Sequence, residues 1–145
     1  MDSQNQNPQK RAAILTDRAR AQVAGSNMIA AESDLAEARR IDPDNGLVWL
    51  LSATLARRGG DLANAQSYIK TAAGLSPSDA AVALEAGNIA AAAKAYRIAR
   101  EQWQQVIKIA PDSAQSETAK ILLAELDLIE AGLLDSENKG AAETR

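Results

Sequence analysis

A chain of 145 residues, 46% of them hydrophobic, suffices for one compact domain or a short repeat array and not for two large domains. It has no Cys and no His, which excludes disulfides, thiol nucleophiles, Cys/His zinc sites and histidine general bases. The net charge of -3, from 16 Lys and Arg against 19 Asp and Glu, argues against nucleic acid, whose binders carry a basic face.

Residues 1–11 are polar and expected to be flexible; no basic segment leads into an apolar stretch, so they do not read as a secretory leader. From residue 12 the chain reads as helices. Aromatics are 3% and Phe is absent, while Ala is roughly a fifth of the chain, so the core must be built from Ala, Leu, Ile and Val in closely packed helices. Gly25-Ser26-Asn27 reads as the first turn, and Asp44-Asn45 as the cap of a later helix. Leu47, Leu50, Leu51 and Leu55 then recur at helical spacing, until Gly59-Gly60 stops the helix. Asp61 caps the next one, which carries Ala65, Tyr68, Ile69 and Ala72 on one face and is halted by Pro77. Ser78 and Asp79 open another helix. Residues 90–95 hold Ala90-Ala91-Ala92-Ala93-Lys94-Ala95 where a Gly or Asn turn is expected, so a strained turn near Lys94 or a longer helix is predicted there. After Pro111, Asp112-Ser113 opens a last helix over about 114–131, with Ala119, Leu122, Leu123, Leu126 and Ile129 apolar. Residues 132–145 read as a flexible tail.

These elements repeat. Pro43, Pro77 and Pro111 are 34 residues apart, as are Ala31, Ala65 and Ala99, then Leu35, Ile69 and Trp103, then Ala38, Ala72 and Val106. The pattern resembles the tetratricopeptide repeat (TPR), whose unit of about 34 residues is a helix-turn-helix. The unit over 46–79 matches best, with Trp49 at the aromatic position, Ala53, Gly60, Ala65, Ile69, Ala72 and Pro77. The unit over 80–113 keeps Gly87, Ala99, Trp103, Val106 and Pro111. The unit over 12–45 keeps Ala19, Ala31, Leu35, Ala38 and Pro43, with Leu15 in place of Trp. The resemblance covers about residues 12–131. It implies an all-α fold, a right-handed α-solenoid of stacked helix pairs with a C-terminal capping helix over 114–131.

The resemblance also implies a function class. The family presents the concave face of the stack to protein segments, so a non-enzymatic interaction module or adaptor is expected. By register the groove positions are Ala13, Thr16, Arg20 and Val23, then Leu47, Leu50, Thr54 and Arg57, then Ala81, Leu84, Asn88 and Ala91. The last helix adds Gln115, Thr118 and Leu122. Leu47, Leu50 and Leu84 form an apolar strip flanked by Thr54 and Asn88, suited to an apolar or amphipathic segment. A family clamp for acidic chaperone tails needs Lys, Asn and Arg at these positions, and here Asn88, Arg20 and Arg57 are of that kind while Leu50 and Leu84 are not. The alternative is a structural module that self-associates through the groove or through its ends, residues 10–20 being basic and 117–143 acidic. A monomer is favoured over a homodimer.

Other chemistry finds little support. Glu85, Glu101, Glu117 and Glu125 read as scattered over helix surfaces, with no paired carboxylate, and Ser67 with Lys70 reads as a surface pair. Gly59-Gly60 is no phosphate loop. Asp42-Pro43-Asp44-Asn45 reads as an interhelix cap and not a metal site. Arg39-Arg40 and Arg57-Arg58 read as solvated, and Trp49, Tyr68, Tyr96 and Trp103 as packing residues. No catalytic residue, metal or cofactor is expected, and neither nucleic acid nor membrane is an expected partner. The longest apolar run, residues 89–93, is five residues, against about 20 for a membrane span. The cytoplasm is the expected compartment, though an exported chain stripped of its leader would read the same.

Overall fold

All but one of the described helices begin just after a short polar side chain that caps the first turn. The computed structural model describes residues 7–132; the expectations for 1–6 and 133–145 lie outside the described residues. The described residues form α1 (Pro8–Ala24), α2 (Met28–Ile41), α3 (Gly46–Arg58), α4 (Leu62–Leu75), α5 (Ala80–Ala92), α6 (Tyr96–Ile109) and α7 (Ala114–Glu130). Asn7, Asn27, Asn45, Asp61, Asp79 and Ser113 each accept a hydrogen bond from a backbone N–H of the first turn. Residues 8–11 are thus the first turn of α1, not the flexible lead expected: Pro8 suits the first helical position, and Asn7 accepts from Lys10 N at 2.7 Å.

The intra-unit turn keeps one conformation whatever residue stands there. Ser26, Gly60 and Lys94 occupy the same column and have φ of 64°, 82° and 63°. Gly60 takes this left-handed geometry freely, whereas Ser26 and Lys94 do so against a steric penalty. Helix α5 ends at Ala92, so the turn falls at Lys94 and the helix does not run on. The following cap column holds Asn27, Asp61 and Ala95, and α6 alone among the described helices begins with no side-chain cap bond.

Three core clusters build the stack. The first joins α1 and α2 through Ala12, Ala19, Leu35 and Ala38 to Val48 and Leu55 of α3. The second joins Leu50, Ala53, Ala65 and Ile69 to Val82 and Ile89 of α5. The third joins Ala90, Ala99, Trp103 and Val106 to Ala119 and Leu126 of α7. Helix α7 therefore covers the third pair as α3 and α5 cover the first two, which is what an array's terminal cap must do.

One pair departs from the others in size and compensates for it. In matching columns the first two units have Ala19 with Leu35 and Ala53 with Ile69; the third has Gly87 with Trp103. A Cβ on Gly87 would lie 2.3 Å from the indole Nε1 of Trp103. The missing methyl is what admits the larger ring. Trp103 therefore fills its own helix pair as well as the space toward α7.

An arginine crosses each junction between units. Arg39 of α2 donates to Ser52 Oγ of α3 at 2.7 Å and lies 4.7 Å over the Tyr68 ring of α4. Arg57 of α3 reaches Glu85 of α5, and Arg100 of α6 reaches Asp127 (2.8 Å) and Glu130 of α7. Arg39 and Arg57, expected to be solvated, are both half-buried at these junctions.

Candidate functional site

The concave face follows from which helices touch. Helices α1 and α3, α3 and α5, and α5 and α7 lie side by side, while α2, α4 and α6 make no such approach to one another. The layer of first helices is the tighter one, so the stack curves toward α1, α3, α5 and α7. The expected groove positions lie on these helices, but the packing divides them.

Thr16 is 1% exposed and its hydroxyl donates to the Ala12 carbonyl at 2.6 Å, so it belongs to the interior and not to the groove surface. Leu50 is likewise buried, in the second core cluster. Of the expected apolar strip, Leu47 is 39% exposed and Leu84 is half-buried against the third cluster. Arg20 is exposed on α1. Thr54, Arg57, Asn88 and Leu122 are all half-buried.

Arg57, Asn88 and Leu122 do come together. They line an open cavity of about 460 Å³ with Ala91, Thr118 and Glu125 on the inner helices, and with Tyr96 and Trp103 of α6. Leu126 and Ile129 of α7 complete its apolar wall. Thr16, Arg20, Leu47, Leu50, Thr54 and Leu84 are not among the residues lining it. The indole N–H of Trp103 donates to Asn88 Oδ1 at 3.3 Å, which ties the cavity wall to the third core cluster. The site is thus an apolar hollow toward the C-terminal end of the groove, with amide, hydroxyl and charged groups at its margin. Such a hollow accepts an apolar side chain and offers polar groups to a backbone.

One acid in this region is not where the sequence placed it. Glu85, read as a surface residue, is 6% exposed. Its Oε2 accepts from Arg57 Nε at 2.5 Å, and its Oε1 accepts from Thr54 Oγ1 at 2.9 Å. Its column holds Asp17 in α1, Leu51 in α3 and Ala119 in α7, so the column alone left its burial open; once buried, an acid needs a partner. Tyr96 and Trp103 were assigned to packing, and their cavity faces follow from where α7 crosses, which no spacing encodes.

Among the described residues there is no cluster of acids that would hold a metal ion, and no helix is long and apolar enough to cross a membrane. The fold is the tetratricopeptide-repeat fold. No protein-family model and no curated protein sequence matches the chain. TPR domains are among the solved structures similar to it. The first TPR domain of human RPAP3 has 19% identity and a TM-score of 0.77, over 89% of this chain and 97% of that one. The first TPR of Spaghetti (RPAP3), bound to the HSP90 peptide SRMEEVD, has 18% identity and a TM-score of 0.76, over 84% and 94%. The TPR domain of Sgt2 from Aspergillus fumigatus has 16% identity and a TM-score of 0.73, over 86% and 84%.

Proposed function

We propose that the chain is a non-enzymatic protein-interaction module whose concave face receives an apolar or amphipathic segment of a partner protein. The observation that carries this reading is the hollow between α5, α6 and α7, with Trp103, Leu122 and Ile129 in its wall. The likeness to TPR domains supports it at the level of fold, and one of them holds a peptide. That peptide ends in acidic residues. Here the hollow offers apolar surface and carries Glu125 at its margin, so the fitting ligand buries an apolar side chain and leaves its polar groups at the rim.

The test puts charge into the hollow. Thr118 is exposed and Ala91 is half-buried against the third core cluster, so Thr118→Glu is measured alone and together with Ala91→Glu, with helical content and unfolding stability checked for both. A partner is isolated from lysate, its binding segment synthesised, and affinity measured by calorimetry. The double variant, with unchanged helical content, should lose on the order of tenfold or more in affinity. Equal affinity for both proteins would reject the groove.

A second reading is favoured by the ends of the stack. Ile14 stands in the column that Val48 and Val82 bury against a preceding unit, yet it is exposed. Ile121 of α7 stands in the column of Ala19, Ala53 and Gly87, and is 62% exposed. These two faces would suit end-to-end self-association. Solution mass at low and high salt separates the readings: a 15.3 kDa species at both rejects the second, and a larger one that persists at high salt supports apolar contact between the ends.

A further inference from the structure

At the hollow, the cation that an acidic ligand would seek is already paired from inside the protein. Arg57 is a groove residue at the edge of the hollow. Its guanidinium crosses from α3 to α5 and donates through Nε to Glu85 Oε2 at 2.5 Å and through Nη2 to Oε1 at 3.3 Å. Thr54, one turn earlier on the same face, gives its hydroxyl to the same carboxylate. Two groove positions of α3 therefore converge on a single buried acid. That acid stands in a column that holds Asp17 in α1, Leu51 in α3 and Ala119 in α7, and of the two acids Glu85 is the buried one. The donors of a binding face are thus held by a carboxylate of the chain itself, where a ligand carboxylate would otherwise bind.

We infer that Glu85 is a specificity-determining residue: its carboxylate occupies Arg57 and Thr54 and turns the groove away from acidic chain ends toward apolar, uncharged segments. This rests on the groove reading proposed above. An incoming carboxylate at Arg57 would have to displace Glu85, leaving that acid buried without its cation, and it would meet Glu125 at the rim as a like charge. An apolar side chain seated against Trp103 and Leu122 incurs neither penalty.

The probe is a short synthetic peptide with a free C-terminus and acidic final residues, measured by fluorescence anisotropy. Glu85→Gln removes the charge while keeping an oxygen for Arg57 and Thr54. The variant should bind the acidic peptide at least about tenfold more tightly than the wild type, and added salt should weaken that binding. Adding Arg57→Gln to the variant should abolish the gain. Equal binding by wild type and Glu85→Gln, or no gain in a variant of unchanged helical content, overturns the inference. Should the variant fail to fold, the wild type decides: the Nε–H resonance of Arg57 should stay put when the acidic peptide is added, and a saturable shift overturns the inference. These outcomes are separate from the groove test. Loss of the Glu85 effect leaves the Ala91/Thr118 result standing, and equal affinity in that experiment leaves the gain at Arg57 readable.

Discussion

Single residues carry the differences between the three units. Gly87 is small because Trp103 needs its space, so Gly87→Ala should destabilise the protein by about 1–3 kcal/mol in urea unfolding. Combining it with Trp103→Ile recreates the Ala53–Ile69 pair of the second unit, so the double variant should lose less than the sum of the two single changes. Additivity of the two would show that the residues do not share one volume. Ser116 is a second local case. It is fully buried in the column of Val48 and Val82, and its hydroxyl finds no partner among the described residues. Ser116→Ala removes an unsatisfied polar group and favours the helix, so it should raise unfolding stability by about 1 kcal/mol. A loss of stability would mean that the hydroxyl is satisfied after all.

Helices and turns depend on their ends. The third unit forms the same turn as the first two with poorer residues for it, Lys94 at positive φ and Ala95 at the cap. Ala95→Asp should supply the bond that Asp61 makes to Asn64 N in the second unit. A gain of about 1 kcal/mol, seen as a rise in Tm of about 3 °C, is expected. Between α1 and α2 the stabilising device is ionic. Arg18 donates to both oxygens of Asp34 at 2.7 Å, and this hydrogen bonding holds the Asp34 carboxyl below its usual range. The pair's contribution is therefore complete above the unfolded carboxyl value of about 3.9 and lost as pH falls through the lower folded value. Asp34→Asn should be less stable than wild type at neutral pH, with the gap closing as the solution is acidified below about pH 4. A gap that is independent of pH would assign the loss to packing instead.

At the scale of the molecule, stability is distributed over neighbouring units, each junction holding one apolar cluster and one arginine. Curvature is also a property of the whole, since it arises from first helices touching while second helices stay apart. Much of this was legible beforehand. The caps at Asn45, Asp61 and Asp79, the stop at Gly59-Gly60 and the register set by Pro43, Pro77 and Pro111 are short-range features, each written in a few neighbouring residues. The repeat turned them into an architecture because each helix pair leaves an apolar face that its neighbour must cover. The groove was legible only as a set of helix faces. Thr16 and Leu50 belong to those faces by spacing, yet the neighbouring helix closes over them.

What covers a given side chain depends on the distance and angle between helices, and those follow from the summed volumes of whole columns. Trp103 and Tyr96 entered the cavity wall in this way, through the crossing of α7. Glu85 and Arg57 met across a separation of 28 residues, on different repeats. The local pattern was enough to specify the helix pairs, their register and the order of stacking, because each rests on contacts within a turn or between adjacent columns, while the turn at Lys94 was settled only by the fold. The position of the hollow, the burial of Glu85 and its pairing with Arg57 needed the folded stack, because they arise where helices from successive units converge.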